Sequence, residues 1–137
     1  MRMKPSLTAA DASLVIAAAR AEAVKQSWNV TIAVVDEAGI LLALERLDGA
    51  FPQSAEIAAK KAWTAAAVRL PTKAAEDMVK DRPALVMFPG QLRVQGGLPL
   101  KVGAECVGAV GVSGVASPQD EQVAAAGVAA FEASLKA

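Results

Sequence analysis

Apolar residues recur along this chain in two rhythms, and the switches between them mark out its elements. Ala12, Ile16, Ala19 and Ala23 fall at spacings of three and four, with Arg20, Glu22 and Lys25 mostly elsewhere on the cylinder. Leu7-Thr8-Ala9-Ala10-Asp11 opens this first helix, with Thr8 as N-cap and Asp11 facing the exposed amides. The helix is expected to end near Ser27. From Asn29 to Asp36 the run is β-branched and apolar, the mark of a strand buried on both faces. Glu37-Ala38-Gly39 then turns the chain, and Ile40 to Arg46 returns as a second strand. In such a hairpin Asp36 sits at the turn and Arg46 at the far end.

Helical spacing resumes at Ser54 after the loop Leu47-Asp48-Gly49-Ala50-Phe51-Pro52. Ser54, Ile57, Ala58, Lys61, Ala62 and Ala65 share one face, which places Lys61 on the apolar stripe and Lys60 off it. An ammonium there is costly unless its stem snorkels or its head meets a carboxylate. Asp36, Asp48 and Glu56 are the expected partners; the alternative is a cation aimed at an anionic ligand. Arg69-Leu70-Pro71 breaks this helix, and Thr72 is expected to cap a short third one to about Lys80. Asp81 to Gln91, with Pro83, Pro89 and Gly90, reads as loop, and Leu92-Arg93-Val94 as a short strand. Leu98 to Val102 and Cys106 to Ser113 form a hairpin across Gly103-Ala104-Glu105. The last helix runs from Ser117 to about Leu135, with Ser117 as N-cap, Pro118 at the first helical position and Asp120 as its acid.

The resulting order, α-β-β-α-α-β-β-β-α, predicts one α+β domain over residues 1–137. Its sheet is expected to be five-stranded, mainly antiparallel and flanked by helices.

The strand ending at Ser113 has almost no bulk, with glycines at Gly108, Gly111 and Gly114. Glycine weakens a strand, so something must approach that backbone closely. Two occupants suit it: an Ala-rich helix, or a ligand near the strand end where Ser113 and Gly114 lead into the last helix. The glycines do not make a dinucleotide fingerprint, which opens a helix inside a βαβ unit. A helix N-terminus after Gly114 can receive a carboxylate or phosphate, unless Ser117 fills it.

Composition narrows the function classes. Hydrophobic residues are 54% and charged residues 20%, as in a globular domain. Aromatics are only 4%, so the core is built from Ala, Val, Leu and Ile, and small helix faces favour association between copies. Lys plus Arg equals Asp plus Glu at 14 each, which argues against nucleic acid or a membrane surface as partner. Met1-Arg2-Met3-Lys4 is basic, as before a signal sequence, but Asp11 and Arg20 interrupt the apolar stretch that follows. No run approaches the roughly 18 apolar residues of a membrane span, and a cytoplasmic location is expected. The single Cys excludes an internal disulfide. The absence of His excludes Ser-His-Asp and Cys-His catalysis and imidazole zinc sites, and no metal site is expected. Proton chemistry falls to carboxylates, Lys, Cys106 or water.

Five stretches together resemble the GlcG/HbpS family. They are Val34-Val35-Asp36-x-x-Gly39, Arg46-Leu47-Asp48-Gly49-Ala50, Ser54 through Lys61-Ala62-Trp63-Thr64-Ala65, Gly96-Gly97-Leu98-Pro99, and Gly108 through Ser113-Gly114. They run in order over about residues 8 to 131. The resemblance implies a profilin-like sheet flanked by helices and a homo-oligomer. It also implies links to haem binding in some members, to the C-terminal domain of a corrinoid adenosyltransferase, and to catabolic operons for small acids. The cofactor is left unknown by the residues; haem is a candidate through the resemblance alone, and the His that ligates it in part of the group is missing. Cys106, Met78, Met87, Lys61 or an oxygen donor would have to replace it, and no spacing selects one.

Two function classes follow. A binding module would hold a small anionic molecule, planar and carboxylated as haem is, with Arg46 or Lys61 on its carboxylates and Gly97, Ser113 and Gly114 beside it. An enzyme would act on a small unsaturated or 2-oxo carboxylate by proton transfer. There Arg46 binds the carboxylate, and Asp36, Asp48 or Lys61 is the catalytic group that moves the proton.

Overall fold

A computed structural model describes residues 1–137. The elements are α1 (Ala9–Gln26), β1 (Thr31–Asp36), β2 (Leu41–Arg46), α2 (Ser54–Val68), α3 (Thr72–Asp81), a 3₁₀ turn (Pro83–Met87), β3 (Gly97–Val102), β4 (Glu105–Ser113) and α4 (Ser117–Ser134). The fold is α+β, but the sheet has four strands, in the order β2-β1-β4-β3, all antiparallel. The expected strand at Leu92-Arg93-Val94 does not form. Its backbone is held by side chains instead: the Leu92 N–H donates to Thr64 Oγ1 at 2.8 Å, and the Gln95 N–H to Glu76 Oε1 at 3.3 Å. Those partners sit on α2 and α3, so the segment runs beside helices rather than along a sheet edge.

β1 is buried on both faces, as its composition requires. Ile32 and Val34 point to one side, into a core shared with Val15 and Ile16 of α1 and Val123 and Phe131 of α4. Ala33 and Val35 point to the other, against Ala58, Ala62 and Ala65 of α2. The molecule is therefore three layers, with α2 over one face of the sheet and α1 and α4 over the other. The small residues of β4 serve the close seat of α2. A Cβ at Gly111 would collide with the backbone of Ala58 and Ala62, and one at Gly97 would lie 2.5 Å from the Lys61 carbonyl oxygen. The Ala-rich helix is thus the occupant that Gly111 accommodates, whereas Gly108 is approached by the Val35 carbonyl and Leu7, and Gly114 by the backbone of Asn29 and Val30.

Two caps differ from the sequence expectation. α1 begins as expected: Thr8 and Asp11 form a reciprocal capping box. Thr72, however, is inside α3, and its hydroxyl oxygen accepts the Gly97 N–H at 2.8 Å, tying α3 to the start of β3. At α4 the N-cap is Ala116, and Gln119 Oε1 accepts its N–H at 3.2 Å. Ser117 is then the first helical residue, and Asp120 is freed from capping to turn inward. No helix is long and apolar enough to cross a membrane.

Candidate functional site

β4 ends at Ser113, and the chain bends at once into α4, so the strand end and the helix start face the N-terminal half of α2. Between them lies a cleft of about 350 Å³, with Lys61, Asp120, Ser113 and Ser117 among its lining groups. Helical spacing puts Lys61 on the buried stripe of α2, where its stem runs along the sheet. Its ammonium donates to the Val112 carbonyl at 3.0 Å and to Asp120 Oδ2 at 3.0 Å. Both side chains are only 3% exposed. Asp120 Oδ1 accepts the Val115 N–H at 3.1 Å, so the same carboxylate fixes the bend from β4 into α4. Gly96 is needed for this route, because a Cβ there would lie 2.7 Å from Lys61 Nζ and 2.8 Å from the Val112 oxygen.

The electrostatics of the pair are set by burial. Loss of water raises the Asp120 carboxyl above its ordinary range, while the Lys61 charge, the Val115 amide and the Lys61 hydrogen bond draw it down. At the rim Lys60 and Glu56 form an exposed pair at 3.0 Å. Ser113 is 4% exposed, lines the cleft and has no hydrogen-bond partner within the chain, unlike Thr31 and Ser54, whose hydroxyls meet at 2.8 Å. A hydroxyl so placed presents an unused donor to whatever enters the cleft.

The sequence-selected residues do not all gather here. Lys61 and Ser113 line the cleft, and Gly114 joins Ser113 to the lining residue Val115. Gly97 sits behind Lys61, packed on the α2 backbone. Arg46 and Ser113 flank Thr31 across the sheet, but Arg46 is exposed on the outer strand and is not part of the lining. Asp48 is exposed in the following loop. Asp36 lies at the opposite end of β1, paired with Gly108, and its Oδ1 accepts the Ala38 and Ile40 N–H groups of the hairpin turn at 2.9 and 3.0 Å. The expected partners of Lys61 were Asp36, Asp48 and Glu56; the partner is Asp120. Sequence reasoning missed it because an acid in the first turn of a helix is amply explained by the helix dipole. Of the replacement haem ligands, Met78, Met87 and Cys106 all lie outside the cleft. No three His, Cys, Asp or Glu side chains group as a metal site would require.

Residues 7–129 match the family model described as haem degrading protein HbpS-like. The chain is 46% identical to Protein GlcG of Escherichia coli K12 over 114 residues, 82% of this chain and 85% of that protein. Among solved structures, a Streptomyces reticuli HbpS double mutant superposes with a TM-score of 0.90 at 37% identity, covering 94% of this chain and 89% of the other. A haem complex of PduOC superposes with a TM-score of 0.85 at 27% identity, covering 92% and 95%.

Proposed function

This chain belongs to the HbpS-like family, and on that premise we propose that it binds a small carboxylated ligand in the cleft between β4, α2 and α4. One observation carries the reading: Ser113 is buried, unpartnered and opens into a cleft whose floor is the Lys61–Asp120 pair. The haem complex of PduOC supports ligand binding by this fold. The residues of this cleft do not fit a haem held through an axial side chain. They include no imidazole, thiol or thioether, and the Lys61 ammonium is already committed to Val112 and Asp120. A smaller carboxylate suits the available groups better. Thermal-shift titration against hemin and a panel of small carboxylates tests the reading. A saturable rise in melting temperature with a carboxylate is expected, and no shift with any of them would overturn it.

A second reading rests on the buried acid. Asp120, raised by burial and 3.0 Å from Lys61, is a proton-transfer pair at the cleft floor, suited to a small unsaturated or 2-oxo carboxylate. Asp36 and Asp48 lie away from that floor. Exchange of substrate C–H for deuterium in D₂O, followed by NMR, would register such an activity.

We also propose that copies of the chain associate through β2. This edge strand has one neighbour, β1, and Leu41, Leu42 and Leu44 are 50%, 36% and 38% exposed on it. Apolar exposure concentrated on an unpaired edge favours a second copy as its cover.

A further inference from the structure

We infer that the cleft is selective for a monoanion with a compact apolar body, an aromatic or branched monocarboxylate, over dicarboxylates, phosphates and neutral isosteres. This rests on the reading that the cleft is the ligand site. The charge ledger decides the point. The charged lining residues are Glu56, Lys60, Lys61 and Asp120, two of each sign, paired at 3.0 Å as one exposed and one buried ion pair. The buried cation, Lys61, is committed to Asp120, and Lys60 lies at the exposed rim beside Glu56, so the lining carries no net positive charge to meet a second negative one.

One charge can nevertheless be held by neutral donors. The Ser113 hydroxyl is unpartnered at 4% exposure, and the Ser117 hydroxyl lines the same wall with no partner in the chain. The Ser117 N–H, at the first position of α4, has no backbone acceptor. It carries the partial positive charge of an eighteen-residue helix start. The helix end alone would be unremarkable; the idle hydroxyl of Ser113, a residue only 4% exposed that opens into the cleft, makes a two-sided seat with it for one carboxylate. The rest of the lining is Phe51, Ile57, Leu92, Val94 and Val115, which offer a ligand body apolar contact, with the Gln53 amide as the one further neutral polar side chain. A second carboxylate would be desolvated against these apolar residues without a cation to meet it.

Calorimetric titration of the intact protein with benzoate, phthalate, inorganic phosphate and benzamide tests this, together with Ser113→Ala and Ser117→Ala. Benzoate should bind at least about tenfold more tightly than the other three probes. Ser113→Ala should weaken benzoate by about tenfold or more, the size of one hydrogen bond to a charged group, while the melting temperature of the free protein stays close to wild type. Phthalate or phosphate binding as tightly as benzoate would overturn the selectivity and leave the carboxylate reading standing. Benzoate binding unchanged in both serine variants would overturn the placement of the carboxylate. No binding by any probe would overturn both.

Discussion

Lys61 and Asp120, fifty-nine positions apart, meet at 3.0 Å on side chains that are each 3% exposed. The contact joins the middle of α2 to the first turn of α4, and through Val112 and Val115 it holds both ends of the bend between β4 and α4. The pair therefore fixes the wall from which Ser113 and Ser117 face the cleft.

Removing one member leaves the other buried without its counter-charge, held only by Val112 or Val115. Lys61→Met and Asp120→Asn should each cost about 3–5 kcal/mol of unfolding free energy. Asn keeps an oxygen for the Val115 N–H, so the double variant should cost clearly less than the sum of the two. Urea unfolding of the four proteins closes the cycle. Strict additivity would show that the pair is not coupled.

The titration of Asp120 has a definite sign. Its folded value lies above the ordinary 3.8, because burial outweighs the pull of Lys61 and Val115. The native state then takes up this proton before the unfolded chain does. The stabilisation from this group is fully present below 3.8 and is lost as pH rises through the folded value. Carbon-detected NMR of the carboxylates should place Asp120 above 3.8, and higher still in Lys61→Met. A value below 3.8 in the wild type would contradict the assignment.

Gly96 and Gly103 both have positive φ, at 134° and 60°, but only Gly96 is crowded. Gly103→Ala meets nothing within 4 Å and should cost about 1–2 kcal/mol for the left-handed backbone alone. Gly96→Ala adds a methyl against Lys61 Nζ and the Val112 oxygen, at a conformation L residues rarely adopt, and should cost more than Gly103→Ala. Thermal melts of the two variants check the order, and equal losses would show that the Lys61 channel tolerates a methyl.

Light scattering at micromolar concentration should give at least twice the monomer mass of 14.0 kDa. Leu42→Lys with Leu44→Glu should reduce it to the monomer with an unchanged circular dichroism spectrum, since both side chains are already partly exposed. A wild-type monomer would dismiss the β2 contact.

Periodicity and capping within a few residues were enough to place α1, β1, α2 and the β3–β4 hairpin, because helix and strand formation depend on near neighbours along the chain. They were also enough to mark Lys61 as a buried cation, since a single face of α2 carries it among alanines. The glycines of β4 announced a close approach before the approaching element was known. What lay beyond the sequence was every pairing between distant segments. Leu92-Arg93-Val94 has a strand-like composition, but the side chains of Thr64 and Glu76 claim the backbone there. Ser117 resembles an N-cap, but Ala116 takes that position and releases Asp120 inward. The partner of Lys61 was decided by where α4 packs, a matter of the whole core's geometry, and no local spacing could separate Asp120 from Asp36 or Asp48.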